Sequence, residues 1–212
     1  EVPNLLLSGP PGCGKTTVAK ALCNELGVDV YVINGSDEGR FLETVRNNAK
    51  NFASTVSLSS TAKHKVIIID EADNTTPDVQ LALRAFTEEF VSNCRFIFTC
   101  NYKNKIIQPL HSRTAVIDFS LRGKERQQLA GQFFQRLQEI LGAEGVKYDN
   151  KVLVELIQKH FPDWRRVLNE CQRYSSGGEI NSGILASFAT VKTDDLFKKL
   201  KEKDFPSVRK WV

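Results

Sequence analysis

Gly9-Pro10-Pro11-Gly12-Cys13-Gly14-Lys15-Thr16 is the stretch on which the reading of this chain turns. Its spacing is G-x-x-x-x-G-K-T. An apolar run, Asn4–Ser8, precedes it and reads as a strand; a helical pattern, Lys15–Leu26, follows and is stopped by Gly27. Glycines allow successive backbone N–H groups to converge on an anion without Cβ clashes. The helix N-terminus adds partial positive charge at the same point. Lys15 can reach the outer phosphates of a nucleotide, and the Thr16 hydroxyl suits Mg²⁺. The candidate nucleotide-binding residues are therefore Gly9, Pro10, Pro11, Gly12, Cys13, Gly14, Lys15, Thr16 and the adjacent Thr17.

Working outward, four further short apolar runs read as strands: Val28–Asn34, Lys65–Asp70, Arg95–Asn101 and Thr114–Phe119. They are rich in Val, Ile and Phe, as strands covered on both faces are. Helical patterns alternate with them. Glu38–Phe52 carries Phe41, Leu42, Val45 and Ala49 on one stripe, and Asp78–Val91 carries Val79, Leu83, Phe86 and Phe90. Strand–helix alternation predicts an α/β fold with a parallel five-stranded sheet flanked by helices. Val66-Ile67-Ile68-Ile69 predicts a buried strand with Asp70 and Glu71 at its C-terminal end, the end at which parallel sheets bind ligands. Asp70 is placed in the Mg²⁺ shell through water, and Glu71 is placed to polarise an attacking water. Asn101 ends the fourth strand; its amide reads either as a donor to the terminal phosphate or a holder of the attacking water, or as an ordinary turn residue.

After Phe119 the strand signal stops. Lys124–Leu141 is a long amphipathic helix, Asp149 caps a second helix reaching His160, and a third follows Pro162. A Ser175–Gly178 turn leads to a short helix through Phe188. The expected organisation is a phosphate-loop domain over 1–121, a small all-helical domain over 122–191, and a tail over 192–212 that begins a further region. The absence of Met, even at position 1, predicts a fragment of a longer chain.

The composition excludes several classes. With 212 residues, 41% hydrophobic and 25% charged, disorder and coiled coil are poor fits. No apolar run is long enough to span a bilayer, and no signal peptide precedes the first strand, which predicts a protein that is neither membrane-bound nor secreted. The net charge of +4 permits nucleic-acid contact without requiring it. Five cysteines without Cys-x-x-Cys spacing argue against a zinc ribbon or disulfide framework, leaving reduced, small apolar side chains. His64, His111 and His160 lie far apart and suggest no nucleophilic triad.

Asp70-Glu71-Ala72-Asp73 spells the motif of a helicase class, but those enzymes pair it with a different phosphate loop and with Ser-Ala-Thr where this chain has Thr99-Cys100-Asn101. Pro10-Pro11, the asparagine and the helical region after the sheet instead resemble AAA+ ATPases. Within them, Asn34-Gly35-Ser36-Asp37-Glu38, Ala82-Leu83-Arg84-Ala85-Phe86, and Cys100-Asn101-Tyr102 followed by Lys105-Ile106-Ile107-Gln108-Pro109 and Ser112-Arg113 are similar to sliding-clamp loaders and replication factor C small subunits. Phe161-Pro162-Asp163-Trp164-Arg165, Tyr174-Ser175-Ser176 and Gly183-Ile184-Leu185 resemble the large subunit of T4-type phage clamp loaders.

The resemblance implies a P-loop AAA+ sheet followed by a helical lid, and an ATPase that uses ATP and Mg²⁺ to load a sliding clamp onto primer–template DNA. It implies as partners other clamp-loader subunits in a hetero-oligomer of pentamer type, the clamp and the DNA, within the cytoplasm of a phage-infected bacterial cell. Asn101 becomes the first sensor, Arg113 an arginine finger inserted into the neighbouring subunit's site, and Arg165 the second sensor, with Arg166 as its rival. The catalytic set is Glu71, Asn101 and Arg113; the metal set is Thr16 and Asp70. Arg46, Lys50 and Thr76 are the candidates for DNA phosphate contact, although Arg46 and Lys50 also read as a solvated helix face. Phe86 and Phe90 read either as a clamp contact or as core. Without the family's N-terminal segment and C-terminal collar, weak nucleotide binding and a monomer are expected. A helicase-type motor or other DNA-dependent AAA+ ATPase, and a scaffold subunit that binds ATP without hydrolysis, are the rival functions.

Overall fold

The computed structural model describes residues 2–36, 45–55, 64–120 and 123–181. The chain forms two compact units: residues 1–126 with Pro162–Arg165, and residues 127–161 with 166–212.

The first unit is built on five parallel strands: β1 (Leu5–Ser8), β2 (Val30–Asn34), β3 (Lys65–Asp70), β4 (Cys94–Cys100) and β5 (Ala115–Asp118). Their order is β2-β3-β4-β1-β5. The first strand in sequence thus lies between the last two, with Leu6 opposite Phe98 on one side and Val116 on the other. Period-two alternation divides the apolar residues between two cores. Leu6, Ile67, Ile69, Phe96 and Phe98 pack with Ala53, Val79, Leu83 and Phe90. Leu5, Leu7, Val66, Ile68 and Ile97 pack on the other face with Ala19 and Cys23. Phe90 is buried and Phe86 packs on the same cluster, their rings stacked at 5.7 Å, so both serve the core.

Helix α1 (Lys15–Glu25) starts after Gly14 at φ 93 and presents Ala19 and Cys23, one turn apart, to the sheet. The chain of the second predicted helix is described from Val45: a π-helical turn, Val45–Ala49, runs into the short α2 (Lys50–Ser54); Phe41 and Leu42 lie outside the described residues. Helix α3 (Pro77–Glu89) opens with Thr76 accepting from Val79 N–H at 3.4 Å and Pro77 in the first turn. A short α4 (Gln108–His111) leads into β5. The expectation that all strands are covered fails at the edges. Every residue of β5, one of the two edge strands, is exposed, Val116 and Ile117 each at 45%.

The second unit holds most of α5 (Gly123–Ala143), all of α6 (Asn150–His160) and all but the start of α7 (Trp164–Ser175). Its core is Leu137, Leu141, Val152, Leu153, Leu156, Val167 and Cys171. Asp149 caps α6, accepting from Lys151 N–H at 2.9 Å. The unit is not wholly helical. Two-residue strands β6 (Lys147–Tyr148) and β7 (Glu179–Ile180) pair in parallel, and Asp149 N–H extends the ladder to Ile180 O at 2.9 Å. Two-residue strands carry no periodicity to read, so the sequence pattern gave no warning of them. The expected helix through Phe188 and the tail 192–212 lie outside the described residues. Among the described residues no helix is long and apolar enough to cross a membrane.

Candidate nucleotide-binding site

All five strands run parallel, so their C-terminal ends share one edge of the sheet, and the loops leaving β1, β3 and β4 bring the predicted residues together there. The Gly9–Thr16 loop depends on left-handed backbone. Gly12 has φ 72, and a Cβ on it would lie 1.8 Å from Asp163 Oδ1. The close neighbour is the Pro162–Arg165 segment, part of the same unit, whose Trp164 N–H donates to Gly12 O at 3.1 Å.

Lys15 is 8% exposed. Its ammonium donates to Gly9 O at 2.8 Å, Pro10 O at 2.7 Å and Asn101 Oδ1 at 2.9 Å, using all three of its protons, with Cys13 Sγ at 3.8 Å. A phosphate at this loop competes with carbonyl and amide oxygens for those protons, and its formal charge gives it the stronger bond. Beside it, the Thr16 hydroxyl donates to Asp70 Oδ1 at 2.7 Å. Among the described residues no group of three or more His, Cys, Asp or Glu side chains could hold a metal ion alone. A hydroxyl and a carboxylate in contact still fit Mg²⁺, which takes one or two protein oxygens and completes its shell with phosphate and water.

Glu71 is the only non-glycine with positive φ among the described residues, at 55. Such a conformation costs about 1–3 kcal/mol and persists where surrounding groups over-determine it. Three groups do so here. Glu71 N–H donates to Thr99 Oγ1 at 3.0 Å, Ser36 Oγ donates to Glu71 Oε2, and Asn74 Nδ2 donates to the same oxygen at 3.2 Å. Thr99 also donates to Asp70 Oδ1 at 2.6 Å, so one buried hydroxyl links the neighbouring carboxylate residues. An open cleft of about 610 Å³ is lined by Thr16, Thr17, Lys20, Asp70 and Arg165 among others. Arg165 thus lies at the same cleft as the Thr16–Asp70 pair, and Lys20, one helical turn beyond Thr16, joins it.

Arg113 lies elsewhere, on the turn between α4 and β5, beside a second cleft of about 400 Å³ lined with Arg84, Gln108, Pro109 and Ser112. Its Nε donates to Glu88 Oε1 at 2.7 Å, Nη2 pairs with the same carboxylate, and Nη1 donates to Pro109 O at 2.9 Å. Arg113 holds the Glu88 carboxyl below its ordinary range, chiefly by the hydrogen bond. Two of the three DNA-contact candidates are engaged within the chain. Lys50 pairs with Glu89 at 3.4 Å, the Thr76 hydroxyl is engaged as the α3 cap, and the side chain of Arg46 lies outside the described residues.

Four supporting residues escaped sequence reasoning: Ser36, Thr99, Asp73 and Gln80. Gln80 is 1% exposed; its amide donates to Thr75 O and Lys105 O and accepts from Ile107 N–H at 2.8 Å, tying the start of α3 to the loop after β4. A Gln on the apolar stripe between Val79 and Leu83 was the available signal.

A parallel sheet of this order, with a phosphate loop after β1 and paired acids after β3, the next strand but one, defines a class of nucleotide-dependent ATPases. Residues 5–121 match the model of the ATPase family associated with various cellular activities, AAA, and the chain belongs to that family. Residues 125–186 match the sliding-clamp-loader large subunit, AAA+ ATPase lid domain. Over 99% of its length the chain is 40% identical to the sliding-clamp-loader large subunit of Enterobacteria phage T4 and 39% identical to that of Escherichia phage RB69, covering 66% of each. It is 41% identical over 85% of its length to the replication factor C small subunit of Saccharolobus solfataricus, covering 54% of that protein. The chain therefore spans about two thirds of the phage relatives and about half of the archaeal one. A Thermotoga maritima RuvB variant shares the fold, with a TM-score of 0.60 and 20% identity, over 88% of this chain and 60% of that one.

Proposed function

We propose that this chain is the ATPase part of a sliding-clamp-loader subunit, which binds ATP with Mg²⁺ and, assembled with other loader subunits in a hetero-oligomer of pentamer type, places a sliding clamp on primer–template DNA in the cytoplasm of a phage-infected cell. The observation that carries the reading is the convergence of Lys15 with Asn101 and of Thr16 with Asp70 at one sheet edge. The Gly9–Thr16 amides and Lys15 hold the phosphates, and Thr16 and Asp70 hold the metal. Mg²⁺, when bound, neutralises charge on the phosphate oxygens. Glu71 orients and polarises the attacking water; Asn101 and Arg165 contact the terminal phosphate from the same subunit. Arg113, exchanging Glu88 for phosphate, serves the neighbouring subunit and stabilises charge on the transferring group. Arg46, Lys50 and Thr76 are the proposed DNA-phosphate contacts.

The test is phosphate release by the full-length assembly, stimulated by clamp and primed DNA. Glu71→Gln should abolish the stimulated rate and retain ATP binding. Undiminished turnover refutes the role of Glu71, and strand unwinding by the intact assembly would replace the loader with a helicase-type motor.

A further inference from the structure

Asp73, the last residue of Asp70-Glu71-Ala72-Asp73, has no task in the chemistry above. It lies on a single 3-10 turn, Ala72–Asn74, and is 5% exposed. Its Oδ2 accepts two backbone N–H groups, those of Asn101 and Tyr102, each at 3.1 Å. Its Oδ1 is buried and has no hydrogen-bond partner among the described residues. A buried carboxylate with half its acceptor capacity unused is a costly way to hold two amides. What it offers over a neutral side chain is strength: bonds from N–H to an ionised carboxylate are roughly twice as strong as neutral ones.

That strength is applied at one place. Asn101 is the first residue beyond β4, where the ladder has ended, and its Oδ1 meets Lys15 at 2.9 Å. Cys100, immediately before it, lies within electrostatic reach of both Asp73 and Lys15. We propose that Asp73 is a positioning residue: by gripping the N–H groups of Asn101 and Tyr102 it fixes the backbone at Asn101 and aims that side chain at Lys15 and at the phosphate the lysine serves. The proposal rests on the sensor reading of Asn101.

The experiment measures clamp- and DNA-stimulated ATP hydrolysis by the full-length assembly with Asp73→Ala, Asp73→Asn, Asn101→Ala and the Asp73→Ala/Asn101→Ala double variant, with thermal unfolding as the control for folding. Misplacing a reacting geometry by about 1 Å costs up to about 100-fold, so Asp73→Ala should lower kcat about 10- to 100-fold. Asp73→Asn, which keeps a neutral acceptor, should fall between it and wild type. The double variant should be no slower than Asn101→Ala alone, since Asp73 acts through Asn101; a merely structural role would add its loss in both backgrounds. Unchanged kcat in Asp73→Ala, or losses that multiply, overturn the proposal. Full activity in Asn101→Ala sinks the sensor reading and this role with it, whereas an impaired Asn101→Ala with a multiplicative double variant sinks the Asp73 role alone. Should Asp73→Ala not fold, Asp73→Asn carries the test: its loss of kcat must vanish in the Asn101→Ala background.

Discussion

Thr99→Val probes the joint between the two acidic residues with little change of shape. Thr99 is 1% exposed; its hydroxyl donates to Asp70 Oδ1 at 2.6 Å and accepts Glu71 N–H at 3.0 Å. Valine removes both bonds. Leaving the Glu71 N–H without its acceptor costs about 1–3 kcal/mol, and losing a bond to a charged group costs about 1.5–3 kcal/mol. Asp70 keeps its bond from Thr16, so the expected total is about 2–5 kcal/mol. That is a large part of a typical total stability of about 5–15 kcal/mol. Thr99→Ser keeps both bonds and loses one methyl group, worth about 1 kcal/mol. Urea unfolding at equal m-value gives the comparison directly. The same pair should separate in catalysis, because only valine releases Glu71 from its left-handed anchor. A cost below about 1 kcal/mol for valine, or serine as damaging as valine, refutes the reasoning.

Other consequences are open to measurement. Arg113→Ala in the full assembly should retain ATP binding and lose hydrolysis, and the single subunit should show why. Glu88 titrates below the ordinary carboxyl range while Arg113 is present, so their pairing holds above that range and is lost as pH falls through the depressed value. Carboxyl NMR titration should show Glu88 moving back toward the ordinary range in Arg113→Ala, with Arg84, 3.7 Å away, retaining part of the depression, and an unmoved Glu88 counts against the pairing. Ser36→Ala frees one tether of the Glu71 carboxylate, so DNA-independent phosphate release should rise several-fold; unchanged basal release contradicts the tether. Burial pushes the Cys94 and Cys171 thiols up to about 11 and raises Cys23 and Cys100 as well. Iodoacetamide at pH 8 should therefore modify the half-buried Cys13 first, with mass spectrometry finding the other four protected until unfolding.

The phosphate loop and the Val66–Glu71 strand were legible because each combines a local spacing with a run of apolar residues, and both properties belong to neighbours in sequence. Strand positions were legible for the same reason, but pattern alone carries no record of lateral neighbours, so the exposure of β5 was not. Asp73, Thr99 and Ser36 were missed because their partners lie 28 to 35 positions away, and nothing local distinguishes a buried Thr or Asp in contact with a catalytic group from any other. Gln80 did break the apolar stripe of its helix, and that conflict was readable. The arginine at 113 was placed by resemblance alone; no local pattern identifies Glu88 as its partner.

The order of the strands has a consequence during synthesis. Asn4, at the head of β1, receives the Phe96 N–H from 92 positions further on, and β5 lies later still. At about 5–20 residues per second, a ribosome leaves the first strand without its lateral neighbours for about 5–18 seconds. Leu5-Leu6-Leu7 spends that interval as an unpaired, wholly apolar segment, the kind of nascent sequence for which a holding chaperone competes with aggregation.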